Sequence, residues 1–245
     1  MTIRGWKIRF KEIRKEFGYS EKDDLDSAKK LNSILKKRFS KNQLQSMIEN
    51  KTVFIVGAGP SLSKSLKYVK KCENVTIIVA DGAVRGLLEQ NIKPDILVTD
   101  LDGDLNSIKR IGKTQIPIVV HAHGDNYELL EITKEFSNVI GTTQTKEFGK
   151  MKNFGGFTDG DRCIFLAEYF NAKRIVLIGM DFGKQIGKYS KYKVSNPKIK
   201  LKKLRFGKRI TEWIGTKSKA DLYSTTKIKG FKTIKLVDLE CIENF

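Results

Sequence analysis

Thr52-Val53-Phe54-Ile55-Val56-Gly57-Ala58-Gly59-Pro60-Ser61-Leu62 is the stretch that decides the fold class. Its first five residues are β-branched or aromatic with no polar alternation, which describes a strand covered on both faces, as in a parallel sheet. The run enters a glycine-rich turn and then a helix-like segment reaching about Lys71. Glycines let backbone approach phosphate closely, and a helix N-terminus offers N–H groups and a favourable dipole to an anion. Gly57, Gly59 and Ser61 are therefore candidate nucleotide contacts. The alternative is a plain strand-to-helix turn with Ser61 as cap. The turn lacks the third glycine of the dinucleotide fingerprint and the lysine of a P-loop.

Working outward, the same grammar repeats. Val75 to Val79 reads as a second strand ending at Ala80-Asp81-Gly82-Ala83, and Val84 to Gln90 as a helix. Ile96 to Val98, Ile116 to His121, Asn138 to Ile140 and Arg174 to Gly179 read as further strands, with a helix over Asp161 to Phe170. Strands alternating with helices predict an α/β fold: an open, mostly parallel, Rossmann-like sheet flanked by helices. Ligands in such sheets bind at the carboxyl ends of the strands. Before this core, residues 1–50 carry apolar residues at helical spacing, Trp6 to Phe17 and Leu25 to Leu35. Ser20, with Asp23 three residues on, and Ser40 are candidate caps. This N-terminal helical segment packs on the core or forms a lid. Three parts are expected: residues 1–50, a catalytic core over 51–183, and a basic C-terminal extension over 184–245 packed on that core, with Ile234 to Leu239 as a last strand.

The strand ends carry the chemistry. Asp100, Asp102 and Asp104 follow the third strand at alternate positions, which brings them together if the chain stays extended. Clustered carboxylates repel, so a protein that keeps them has a cation to place there, and Mg²⁺ with its preference for oxygen ligands is the natural one. The bland reading is a solvated turn. Asp81, at the end of the second strand, suits a ribose, a metal or a ring nitrogen, and Arg85 lies one helical turn further on. His121-Ala122-His123-Gly124-Asp125-Asn126 holds the two histidines of the chain. Without other histidines or a nearby cysteine it makes a poor zinc site, and His121, His123, Asp125 and Asn126 are candidate phosphate or substrate contacts. Gly155-Gly156-Phe157-Thr158-Asp159-Gly160-Asp161-Arg162 opens a helix, where Thr158 or Asp159 is a candidate cap. Asp159, Asp161 and Arg162 are equally candidate catalytic groups. Asp181, after the last core strand, joins the same rim.

The chain of 245 residues has formal charge +19, and the charge is local. Lys184 to Lys235 holds 17 Lys/Arg against 2 Asp/Glu, a net +15, and everything else contributes +4. Such a field attracts phosphorylated ligands or nucleic acid. Tyr189, Tyr192, Phe206, Trp213, Tyr223 and Phe231 are interspersed there. Phe157, Phe182 and Trp213 are candidates to stack on a flat ring, though each residue type more often packs in a core. High Lys, Ile and Glu usage with few Gln also suits a thermophile. Cys72, Cys163 and Cys241 have neither disulfide nor zinc spacing. No apolar run approaches the ~20 residues of a membrane span, and the N-terminus has no signal-peptide core. A cytoplasmic location is expected.

Several ordered motifs resemble a known family. Ala80-Asp81-Gly82-Ala83, Thr99-Asp100-Leu101-Asp102 and Thr158-Asp159 are similar to the Asp-Gly-Gly, Gly-Asp-Phe-Asp-Ser and Thr-Asp motifs of thiamin pyrophosphokinases. Thr99 stands where that family has glycine and Gly103 where it has serine. The acids expected before the Thr-Asp pair are missing, since Phe154 and Gly156 occupy that region, which argues against thiamin as substrate. The fuller set, from Val56-Gly57-Ala58-Gly59-Pro60-Ser61-Leu62 through His121–Asn126 and Gly155–Arg162 to Gly179-Met180-Asp181-Phe182-Gly183, resembles the archaeal 6-hydroxymethyl-7,8-dihydropterin pyrophosphokinases. The resemblance implies Mg²⁺-dependent diphosphate transfer from ATP to a reduced pterin with release of AMP. It implies metal on Asp100 and Asp102 with Asp104, phosphate or ribose on the Gly57–Ser61 loop, and Asp159 or Asp161 orienting the attacking hydroxyl. Arg85, Arg162 and lysines of the basic segment would neutralise charge. A glycosyltransferase using a nucleotide-activated sugar and a nucleic-acid-binding protein using the basic segment are the alternatives. Nucleic acid is disfavoured as a partner because the ordered acids would repel phosphates, and a homo-oligomer stays open.

Overall fold

The computed structural model describes residues 3–37, 40–190 and 196–245, so Tyr192 lies outside the described residues. Eight parallel strands form one sheet: β1 Thr52–Val56, β2 Thr76–Ala80, β3 Ile96–Thr99, β4 Ile118–Ala122, β5 Val139–Thr143, β6 Arg174–Ile178, β7 Asp221–Ser224 and β8 Lys235–Leu236. Their order is β5-β4-β3-β2-β1-β6-β7-β8. The chain steps outward from β1 to β5, then returns to the other side of β1 for β6. The crevice between β1 and β6 is thus the point where the winding reverses, which is where open α/β sheets bind ligands.

Alternate residues of each strand enter opposite layers, as the two-residue period of a strand requires. Phe54, Val56, Ile77, Val79, Leu97 and Val120 pack against α2 (Glu21–Ile34), α4 (Leu62–Val69), α5 (Ala83–Glu89) and α6 (Leu105–Gly112). Val53, Ile55, Ile78, Val98, Val119 and Leu177 pack against α1 (Trp6–Phe17), α3 (Lys41–Ile48), α7 (Asp159–Tyr169) and α8 (Pro197–Gly215). Burial on both faces is why the strands show apolar runs without alternation.

The N-terminal segment divides between the two faces. Trp6 of α1 lies against Phe165 of α7 at 4.6 Å and against Trp213 of α8 at 6.3 Å. Helix α2 crosses the opposite face near β4 and β5. Ser20 caps α2 by accepting from Asp23 N–H at 3.2 Å, whereas Ser40 stands at the start of α3 without a side-chain cap bond.

The basic C-terminal region enters the sheet itself. β7 extends it beside β6, and only Lys235 and Leu236 of the expected Ile234–Leu239 strand pair as β8. Between them and β6 runs α8, a 19-residue helix that apolar periodicity does not show. Its fully buried stripe is narrow, Gly207, Ile210, Thr211 and Ile214, with Leu201, Leu204, Phe206 and Trp213 partly buried and lysines and arginines interspersed among them. The signal that reveals it is Asn196 followed by Pro197: Asn196 Oδ1 accepts from Ile199 N–H at 3.1 Å, with proline at the first helical position. The aromatics among the lysines turn inward, Phe206 against Phe17 at 5.1 Å and Tyr189 buried beside Gly86. The thiols are free, Cys163 buried, Cys72 half-buried and pushed up to about 11 by burial, Cys241 exposed. No described helix is long and apolar enough to cross a membrane.

Candidate active site

Strand β1 delivers the Gly57–Ser61 loop into the β1/β6 crevice. There Gly57 N–H donates to Ile178 O at 2.8 Å and Gly59 N–H to Gly179 O at 2.7 Å. Ser61 N–H donates to Asp181 Oδ2 at 2.8 Å, and Asp181 Oδ1 accepts from Thr226 Oγ1 at 2.9 Å. A Cβ on Gly59 would stand 2.2 Å from Asp181 Oδ2 and 2.5 Å from Gly179 O, so only glycine admits this approach. Three N–H groups of the loop are thereby committed to β6 and Asp181. The loop offers a ligand a close backbone surface more than a cradle of donors, and Asp181 is the acceptor that holds it. Ser61 precedes α4 without a side-chain cap bond.

The carboxylates assemble on β2 and β3. Residues Asp81, Asp100 and Asp102 place one oxygen each within 4.8 Å of one another. Asp104 is not in this cluster. The chain does not stay extended after β3: Leu101 has φ 70°, in the left-handed region, and its side chain is fully buried. The turn carries Asp104 to the start of α6, where its Oδ2 accepts from Ser107 N–H at 2.9 Å as a helix cap. Asp81 takes the third place because β2 and β3 are neighbours in register. It has φ 25° and accepts a hydrogen bond from Thr99 Oγ1, which in turn accepts from Leu101 N–H at 2.8 Å.

Beyond β4, His123 Nδ1 accepts from Asp125 N–H at 3.2 Å, so a neutral His123 carries its proton on Nε2, 3.4 Å from Asp100 Oδ2. Asn126 is buried and braces the rim, donating to Asp100 O and His121 O at 2.7 Å each and accepting from His123 N–H at 3.1 Å. Its bonds are all to protein. Asp125 is exposed at the rim. His121 is buried, and burial first, then the Arg162 and His123 charges, hold it well below the usual histidine range.

The α7 start separates two aspartates of one motif. Asp161 is fully buried and accepts from Phe157 N–H, from Thr158 N–H at 3.0 Å and from Thr158 Oγ1 at 2.6 Å. Thr158 is the N-cap of α7, and Asp161, at the third helical position, is its reciprocal partner in a capping box. Arg162 Nη1 donates to Phe157 O at 3.0 Å. Asp159 instead lines the cavity, and its Oδ1 is buried with no partner among the described residues. Burial, then the Asp100, Asp81 and Asp102 charges, push it well above the usual carboxylate range, with Arg162 opposing. Arg85 lies away from this cluster, pairing with Glu89 at 2.8 Å, and lines neither of the two cavities described next.

Two cavities meet here. The larger, about 640 Å³, lies over the crevice and is lined by the Gly57–Pro60 loop, Asp81, Asp100, Asp102, Asp159 and Asp181, and by Lys200 and Lys203 of α8. The smaller, about 210 Å³, lies under α2. Asp100, Tyr19, Asp125, Phe157 and Lys203 line both. Tyr19, Asp24, Lys200 and Lys203 were not singled out individually from the sequence. The two lysines become legible once Asn196–Pro197 is read as a helix start, because Lys200 and Lys203 then share one face.

Residues 26–187 match the model of a family described as 6-hydroxymethylpterin diphosphokinase MptE-like. The chain belongs to this family. It is an enzyme of the diphosphokinase class. It is 41% identical over 234 residues to the 6-hydroxymethyl-7,8-dihydropterin pyrophosphokinase of Methanocaldococcus jannaschii, covering 89% of this chain and 97% of that one. It is 42% identical to the protein of that name from Pyrococcus furiosus, over 89% of this chain and 96% of the other. Among solved structures it is similar to the Maf glycosyltransferase of Magnetospirillum magneticum AMB-1, with TM-score 0.63 and 14% identity, over 90% of this chain and 39% of that one. At that identity the likeness concerns the fold alone.

Proposed function

We propose that the chain transfers diphosphate from ATP to the hydroxymethyl group of 6-hydroxymethyl-7,8-dihydropterin in a Mg²⁺-dependent reaction that releases AMP. The observation that carries this reading is the convergence of Asp81, Asp100 and Asp102 where the two cavities meet, in a member of this family. Three carboxylate oxygens of two adjacent strand ends suit a hard cation that takes oxygen ligands. Magnesium held there by Asp81, Asp100 and Asp102 would offset phosphate charge, which is most of what phosphoryl-type transfer requires.

The chain's own residues supply the rest. The Gly57–Pro60 loop presents the close backbone surface against which a nucleotide lies at the winding reversal. Lys200 and Lys203 line the same cavity as the acids and attract the phosphates. Asp159 lines the same cavity with an oxygen that no described residue engages, and it orients the acceptor hydroxyl and takes its proton there. Asp161 and Asn126 hold α7 and the β4 rim in place, and Asp181 holds the loop.

The test is AMP release from ATP with the reduced pterin, with thiamin as a parallel acceptor. Pterin-dependent AMP that disappears with chelator is the expected result. Turnover of thiamin in its place would keep the chemistry and change the substrate. AMP from neither acceptor, with folded protein, overturns the reading.

A further inference from the structure

Asp24 sits on α2, far in sequence from every motif of the strand ends, yet it is buried and lines the smaller cavity. Its Oδ1 accepts from Gly124 N–H at 3.0 Å, and among the described residues no donor reaches Oδ2. A carboxylate has about four acceptor positions, so Asp24 has capacity for further donors. The wall around it also carries polar atoms without partners. Thr142 Oγ1 spends its one hydrogen on Val120 O at 3.0 Å, so it accepts at His121 Nδ1, 3.2 Å away. The neutral His121 therefore has a bare Nε2, which is buried and without a partner among the described residues. Gln144 Oε1 and Arg162 Nε are in the same condition. Orphaned buried polar atoms are rare, and here three belong to side chains of one cavity wall. Phe10, Tyr19 and Phe157 supply aromatic surface beside them.

We propose that the smaller cavity seats the ring of the acceptor and that Asp24 reads its edge, accepting from two adjacent N–H donors such as the 2-amino group and N3–H of a 2-amino-4-oxopyrimidine. The inference rests on the pterin reading above and adds a specificity-determining residue to it. The larger cavity, with the glycine loop and the Asp81, Asp100 and Asp102 cluster, is left to the nucleotide and its cation. Asp100 lines both spaces, so an acceptor held by Asp24 at one end of the smaller cavity meets the donor's phosphates at the other. An edge that offers an acceptor in place of the 2-amino donor, as in the 2-oxo ring of a lumazine, meets the carboxylate with repulsion.

The experiment is a fluorescence titration of the full chain with 6-hydroxymethylpterin and with 6-hydroxymethyllumazine, both with Mg²⁺ and a non-hydrolysable ATP analogue. Wild type is expected to prefer the pterin about tenfold or more, from one charge-assisted hydrogen-bonding edge. Asp24→Asn keeps the acceptor for Gly124 and supplies an N–H₂ group. It is expected to weaken the pterin about ten- to hundredfold, to strengthen the lumazine, and to leave binding of the ATP analogue unchanged. Equal affinity of wild type for the two rings overturns the inference whether or not the variant folds, as does a folded Asp24→Asn that binds pterin like wild type. Pterin-dependent AMP release by wild type, measured in parallel, separates the two failures: its absence sinks the function itself and takes this inference with it.

Discussion

The end of β3 and the start of α7 both carry aspartates spaced two apart, and the fold uses them in opposite ways. At β3, Asp100 and Asp102 converge with Asp81. At α7, Asp161 is saturated by two backbone N–H groups and a hydroxyl, while Asp159, two residues earlier, faces the acids of β2 and β3. The difference teaches that spacing alone does not assign an aspartate: Asp161 is taken up by its own helix start, whereas Asp100 and Asp102 bring their oxygens to a shared point with Asp81. Asp104 repeats the lesson within the β3 motif, since capping α6 removes it from the cluster.

The largest effect that could break this contrast is at the cluster. Asp100→Asn or Asp102→Asn is expected to lower pterin-dependent turnover about a hundredfold or more, with no loss of thermal stability because a like-charge contact is relieved. Melting temperature and AMP release on the same sample check both halves. Asp161→Ala should do the reverse. It leaves Phe157 and Thr158 donors buried without an acceptor and should cost about 2 kcal/mol or more of stability in denaturant unfolding. A smaller loss, about 1 kcal/mol, is expected for Asp104→Ala as a lost cap. Its turnover should stay near wild type, and a loss matching that of Asp102→Asn would return Asp104 to the cluster.

The smallest effect is in pH dependence. Burial holds Glu168 above its ordinary value of 4.5, with Ser218 donating to it. The native state then binds this proton more tightly than the unfolded chain does. The resulting stability is fully present below the ordinary value and is lost as pH rises through the folded one. Asp24, Asp159 and Asp161 are shifted the same way, so Glu168→Gln should make the decline in stability above pH 4.5 shallower without removing it. Thermal melts across that range compare the slopes.

The core strands were legible because each is buried on both faces, which leaves a continuous apolar signature in Thr52–Val56 and Arg174–Ile178 that needs no partner to be recognised. Helix α8 was not, because a narrow stripe of four buried residues among lysines carries little periodic signal, and β7 has only Leu222 and Ser224 buried. At the site, the acidic motifs announced themselves by composition, yet local spacing named Asp104 where the structure places Asp81. The sequence by itself determined the fold class and the rim on which the chemistry lies, since both follow from hydrophobic runs and the polar residues that end them. Only the tertiary structure decided which carboxylates converge, which are spent on helix caps, and that Asp24 reaches the rim from a helix 76 residues before Asp100. Those outcomes depend on strand neighbours, on the left-handed turn at Leu101 and on how α2 crosses the sheet, and none of them is a property of adjacent residues.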